Sequence, residues 1–214
     1  TYLWVSHSSL SDSSLYNPDV YPLDSMNYTI KATDSLGCIA HDTIRVNVVD
    51  MVVDIGNDTS ICLGNGMQFG PDTSSFEGNS PYIYNWTPYG NVNDSSIYNP
   101  IVSSSVPDTF TLKLQVTDSL GCIVYDSINV NIIDLTVDAG DDTLMCYGNS
   151  VQLFVDTTVV EGMMPYTYIW SSPDSLNDPN IFNPIASNRD TITYTVTVTD
   201  MIGCVATDFV TIKV

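Results

Sequence analysis

The 214-residue chain repeats itself. Trp4, Trp86 and Trp170 stand 82 and 84 residues apart, and the Asn-Pro pairs Asn17-Pro18, Asn99-Pro100 and Asn183-Pro184 keep the same two intervals. A fixed period of this kind is the signature of one small unit copied along the chain, and it constrains the fold more than any local propensity. Asp34-Ser35-Leu36-Gly37-Cys38 returns as Asp118-Ser119-Leu120-Gly121-Cys122 and, loosened, as Asp200-Met201-Ile202-Gly203-Cys204; Cys62 returns as Cys146. Aligning residues 48–54 with 132–138 places the boundaries near 50 and 134. The units are then 1–50, 51–134 and 135–214, and the first corresponds only to the back half of the other two.

Each unit reads as all-β. Residues 191–199 alternate threonine with apolar residues, which predicts a strand burying Ile192, Tyr194, Val196 and Val198 on one face. Residues 42–48, 126–132 and 208–214 alternate in the same way, with the Gly-Cys step before each as the turn. Further strands are expected at Val151–Val155 and Tyr166–Trp170. No helical period lasts ten residues, and seven or so short strands in about 80 residues indicate an immunoglobulin-like Greek-key sandwich with the tryptophan between its sheets. The fold class is therefore all-β, with tandem sandwiches stacked as a rod.

Five cysteines are an odd number. The repeat assigns one early and one late cysteine to each complete unit, so the expected pairs are Cys62 with Cys122 and Cys146 with Cys204, leaving Cys38 for a partner upstream of the sequence. Disulfides imply an oxidising, extracellular location. Metal binding by the cysteines is disfavoured, since none stands in a CxxC pair.

The string Tyr168-Ile169-Trp170-Ser171-Ser172-Pro173, continuing to Asn183-Pro184, followed by Thr193–Asp200 and Gly203-Cys204, resembles the PKD-like, immunoglobulin-like repeats of very large Bacteroidota surface proteins. The resemblance covers all three units, although Trp4-Val5-Ser6 and Trp86-Thr87-Pro88 lack the full Trp-Ser-Pro pattern. It implies scaffolding along type IX-secreted adhesins, gliding adhesins or grappling-hook filaments at the cell surface, with no catalysis.

Composition narrows the partners. Twenty-five acidic against 5 basic residues give a formal charge of −20, which argues against nucleic acid and anionic membranes. No run of about 18–20 apolar residues is present, so membrane insertion is not expected. His7 and His41 fall in the incomplete unit and recur nowhere. No GxSxG, HExxH, GxGxxG or phosphate-loop spacing occurs, and the chain is read as non-enzymatic.

Acids do recur at the unit boundaries: Asp50, Asp54 and Asp58 align with Asp134, Asp138 and Asp142. Hard oxygen ligands there are candidates for calcium, the one cofactor considered; the competing reading is solvated turn residues bonding their own backbone. The triplet Asp-Ser/Thr-apolar also recurs, making Ser35, Thr43, Ser119, Ser127, Thr143, Ser175 and Thr191 candidates for O-glycosylation of the Bacteroidota type.

Residues 46–54 contain no Gly, Pro or Ser, so successive units are joined with little slack. The expected function is a rigid spacer or shaft whose partners are neighbouring repeats of the same chain, with lateral pairing of sister chains into a filament as a further expectation. The alternative is a glycan- or protein-binding module presenting tyrosines from Pro81–Trp86 and Pro165–Trp170.

Overall fold

The structure, a computed structural model, describes residues 1–5, 8–72, 78–156 and 162–214; His7 and Ser6 lie outside them. It is all-β, with two short 3-10 turns at Tyr89–Asn91 and Pro173–Ser175 and no α-helix among the described residues.

The first unit contributes β1 (Tyr2–Trp4), β2 (Met26–Thr33) and β3 (Ile39–Val46), one antiparallel sheet in that order. The second contributes β4 (Thr59–Cys62), β5 (Gly66–Gln68), β6 (Ile83–Thr87), β7 (Ile101–Ser103), β8 (Thr109–Thr117) and β9 (Ile123–Ile133). The third repeats the set as β10 (Thr143–Leu144), β11 (Val151–Gln152), β12 (Thr167–Trp170), β13 (Ile185–Ala186), β14 (Ile192–Thr199) and β15 (Val205–Lys213). In each, a four-stranded sheet (β4-β9-β8-β6, or β10-β15-β14-β12) faces a two-stranded one (β5-β7, or β11-β13), an immunoglobulin-like sandwich. Among the described residues each of the two complete units forms six strands, where seven or so are expected. The expected strand at 151–155 is paired only over Val151–Gln152, although Leu153 and Val155 still point inward.

Alternation dictates the cores. Tyr194, Val196 and Val198 are fully buried, as the threonine pattern requires, while their partners face outward. Trp86 and Trp170 are buried between the sheets, and each indole N–H donates to a carbonyl 11 residues on, Ile97 and Ile181, at 3.0 Å. Trp4 makes the same bond to Leu15. It is half-exposed, and the described residues of its unit form a single three-stranded sheet. Two separate cores result, one built around Trp86 and Leu114, the other around Trp170 and Val196.

Each complete unit starts with an extended, unpaired segment whose alternate residues are buried: Met51, Val53 and Ile55 in one, Leu135 and Ala139 in the next. An aspartate on the last strand fixes it, since Asp126 Oδ2 accepts from Ile55 N at 2.8 Å and Asp208 Oδ2 from Ala139 N at 2.7 Å. The short strand that follows runs parallel to the far end of the last strand, pairing Cys62 with Ile133 and Leu144 with Lys213. That parallel pairing places the early cysteine of each unit at the unit's exit end.

Candidate functional site

The late cysteines sit at the opposite, entry end, in a turn built by one aspartate. Asp118 Oδ1 accepts the N–H groups of Leu120 and Cys122, both at 2.9 Å. Asp34 does the same for Leu36 and Cys38, and Asp200 for Ile202 and Cys204. The turn needs a left-handed residue before the cysteine, which Gly37, Gly121 and Gly203 supply at φ 85–90° without the steric cost a Cβ would bring. In the complete units the other carboxylate oxygen reaches across to Asn79 N and Met163 N, each at 3.0 Å. The Asn79 N–H, aided by those of Cys122 and Leu120, holds the Asp118 carboxyl below the usual carboxylate range against the opposing effect of burial.

These two ends decide the cysteine chemistry, and they correct the expected pairing. Cys62 and Cys122 are separated by the 11-residue strand β9, about 35 Å at ~3.3 Å per residue, whereas a disulfide needs Cα atoms within about 7 Å. The same geometry keeps Cys146 from Cys204. The bond formed instead joins Cys62 to Cys204 across the boundary between units, with Cα atoms 5.3 Å apart and 142 residues of sequence between them. Cys38 and Cys146 are exposed free thiols, and Cys122 is a half-buried one.

The joint is short. Only Asp134 separates Ile133, the last residue of β9, from Leu135, which is already buried in the next unit. The cleft beside the disulfide is lined by Leu63, Asn65, Ile133, Leu135 and Val205. On its flank, Met163 and Ile202 of the third unit line a cleft together with Thr59, Ser60 and Asn131 of the second.

The candidate calcium ligands have other occupations. Asp54 and Asp138 accept the N–H two residues ahead, of Gly56 and Gly140, at 2.8 Å. Asp58 accepts from Asn129 N and Nδ2, which lowers its pKa, and Asp142 from Thr211 N at 2.8 Å. With Asp50 and Asp134 they lie strung along an extended segment, and no three His, Cys, Asp or Glu side chains converge among the described residues. Asp58 and Asp142 thus clip the entry segment to the last strand, while Asp54 and Asp138 shape turns within that segment.

Among the glycosylation candidates, Ser35, Thr43, Ser119, Ser127 and Thr191 are exposed and Thr143 is half-buried. Ser175 is engaged inside the unit, bonding Ser172 O at 2.9 Å and Tyr194 Oη at 2.6 Å. Three of the Asp-Ser/Thr triplets have a structural cause of their own, since Asp126 holds the entry segment while Asp34 and Asp118 build turns. Sequence reasoning missed the role of Asp126 in holding the entry segment; its recurrence as Asp208, the fourth residue of the last strand in both units, was the signal.

The tyrosines of the binding alternative are half-buried and engaged within their own units. Tyr82 and Tyr166 donate to Gly78 O and Gly162 O at 2.6 and 2.8 Å. Tyr84 packs edge-on to Tyr98 and Tyr168 tilts against Phe182, and burial pushes both hydroxyls above the ordinary tyrosine pKa.

No helix among the described residues is long and apolar enough to cross a membrane. No protein-family model matches the chain, and no curated protein matches it. The chain is similar to several solved structures at low identity. The C-terminal 282-residue fragment of intimin, in complex with the intimin-binding domain of its translocated receptor, matches 74% of this chain and 62% of that one at 14% identity and a TM-score of 0.46. The insect immune protein hemolin matches all of this chain and 67% of its own at 10% identity and a TM-score of 0.40. The human desmocollin-1 ectodomain matches 99% of this chain at 12% identity and a TM-score of 0.33, and the chain spans about half of that ectodomain.

Proposed function

We propose that the chain is a non-catalytic spacer, a run of repeats that holds some other element away from a cell surface as part of an extracellular adhesin or filament. The observation that carries this reading is the joint: one residue, Asp134, between the last strand and the next buried core, with the Cys62–Cys204 bond closing the other side. Two covalent connections across one boundary resist hinge motion that a single linker would allow. A stable disulfide fits an oxidising compartment, and the −20 charge keeps such shafts soluble and apart. The resemblance of the Trp-Ser-Pro and Gly-Cys motifs to Bacteroidota repeats supports a type IX-secreted surface protein as the parent, with O-glycans on the exposed Ser35, Thr43, Ser119, Ser127 and Thr191 hydroxyls.

Small-angle scattering on the oxidised and reduced protein tests the spacer reading. A maximum dimension that stays that of aligned units when oxidised and spreads to a broad distribution on reduction supports it. Equal, broad distributions in both states overturn it. An intact mass equal to the bare sequence on native material removes the glycans, and specific binding on a glycan array replaces the spacer with a recognition module.

A further inference from the structure

The joint is built once, but its two halves occur more than once. Cys146 occupies the same turn as Cys62: Asn149 N donates to Cys146 O at 3.1 Å as Asn65 N does to Cys62 O at 3.0 Å, and Gly148 takes the left-handed conformation of Gly64. Cys38 occupies the same turn as Cys204, with its N–H on Asp34 Oδ1 at 2.8 Å. Both thiols are exposed, and they belong to the last and first units.

From this we infer that the disulfides of these repeats are staples between neighbours, the early cysteine of one unit bonding the late cysteine of the unit after it, and that Cys146 of one copy and Cys38 of a second copy are the two halves of such a joint. The rule also explains why three of five cysteines are free. Cys38 and Cys122 need an early cysteine from a preceding unit, and Cys146 needs a late one from a following unit; none is present within the 214 residues. The occupant of each free half is therefore another repeat of this kind, which a second copy of the chain can supply.

The chemistry is thiol–disulfide exchange with a small disulfide oxidant such as oxidised glutathione. One protein thiolate attacks the oxidant, releasing one glutathione thiolate; the second protein thiolate attacks the mixed disulfide and releases the other. Two protein thiols are oxidised to one disulfide, and one glutathione disulfide is reduced to two thiols. Like charge opposes the approach of two chains this acidic, so moderate salt favours the reaction.

The proposal uses the same joint as the spacer reading, but the two fail separately: scattering on the monomer tests the spacer, and linkage mapping on the oxidised product tests the coupling. The full-length protein is incubated at high concentration and moderate salt in a reduced/oxidised glutathione mixture. It is then separated without reductant and peptide-mapped. The expected product is a ladder whose new linkage is Cys146–Cys38. Cys38→Ser and Cys146→Ser each abolish the ladder, whereas a mixture of the two variants gives dimers that grow no further. The Cys62–Cys204 linkage in the same digest shows that each variant is folded. Linkages dominated by Cys146–Cys146, Cys38–Cys38 or Cys122, or no covalent oligomer at all, would overturn the proposal.

Discussion

Asp200 holds Cys204 in place for its bond to Cys62: one carboxylate oxygen accepts the Cys204 N–H at 2.8 Å and the Ile202 N–H at 3.0 Å, while the other accepts from Met163 N. A buried carboxylate serving three backbone donors cannot be removed without stranding them. Asp200→Ala is expected to cost about 2–4 kcal/mol in denaturant unfolding and to slow formation of the Cys62–Cys204 bond during oxidative refolding. Unchanged stability and unchanged oxidation would remove the turn from the joint's design.

The three tryptophans test whether equivalent positions carry equal weight. Trp86 and Trp170 are enclosed, whereas Trp4 is half-exposed. Trp170→Ala is expected to cost about 3–5 kcal/mol from lost packing and cavity formation. Trp4→Ala should cost far less, because little cavity is left behind. Equal losses on urea titration would mean that the first unit packs as tightly as the others.

Units one and three bury a tyrosine where unit two has Leu112. Tyr28 Oη meets Ser9 Oγ at 2.6 Å, and Tyr194 Oη meets Ser175 Oγ at the same distance. Tyr194→Phe leaves Ser175 Oγ only its bond to Ser172 and is expected to cost about 1–2 kcal/mol, readable as a lower urea midpoint. A gain in stability would show that the apolar solution of unit two is the better one.

Acid should destabilise the fold. Backbone N–H donors lower the folded pKa of Asp34, Asp58 and Asp118 below the ordinary 3.8, and the Ser14 and Ser96 side chains and N–H groups do so for Asp12 and Asp94. A lowered folded value contributes stability that is complete above the unfolded pKa and is lost as pH falls through the folded one. Tm should hold level from neutral pH to about 5 and fall below about 4. Relief of repulsion among the 25 acids works in the opposite direction, so a Tm that climbs through pH 3 would show that repulsion outweighs these bonds.

Much of this was legible in the sequence, for a physical reason: the strict alternation at 192–198 leaves one way to bury Tyr194, Val196 and Val198, and the tryptophan spacing fixes which strands are equivalent. The cysteine pairing was not legible. Alignment says that Cys62 corresponds to Cys146 and Cys122 to Cys204, but not at which end of the sandwich each stands. That depends on β4 running parallel to the far end of β9, a tertiary choice no local pattern encodes. The backbone roles of the boundary aspartates were not legible either. Their recurrence is real, but it serves backbone N–H groups spread along an extended segment, and a calcium cage would need them to converge.

Peptide mapping of the oxidised, non-reduced monomer tests the joint most directly. A single disulfide-linked peptide pair containing Cys62 and Cys204, with Cys38, Cys122 and Cys146 open to alkylation, is expected. Cys62 linked to Cys122 and Cys146 linked to Cys204 would contradict it, returning each bond to the interior of one unit and leaving the units joined by their backbone alone.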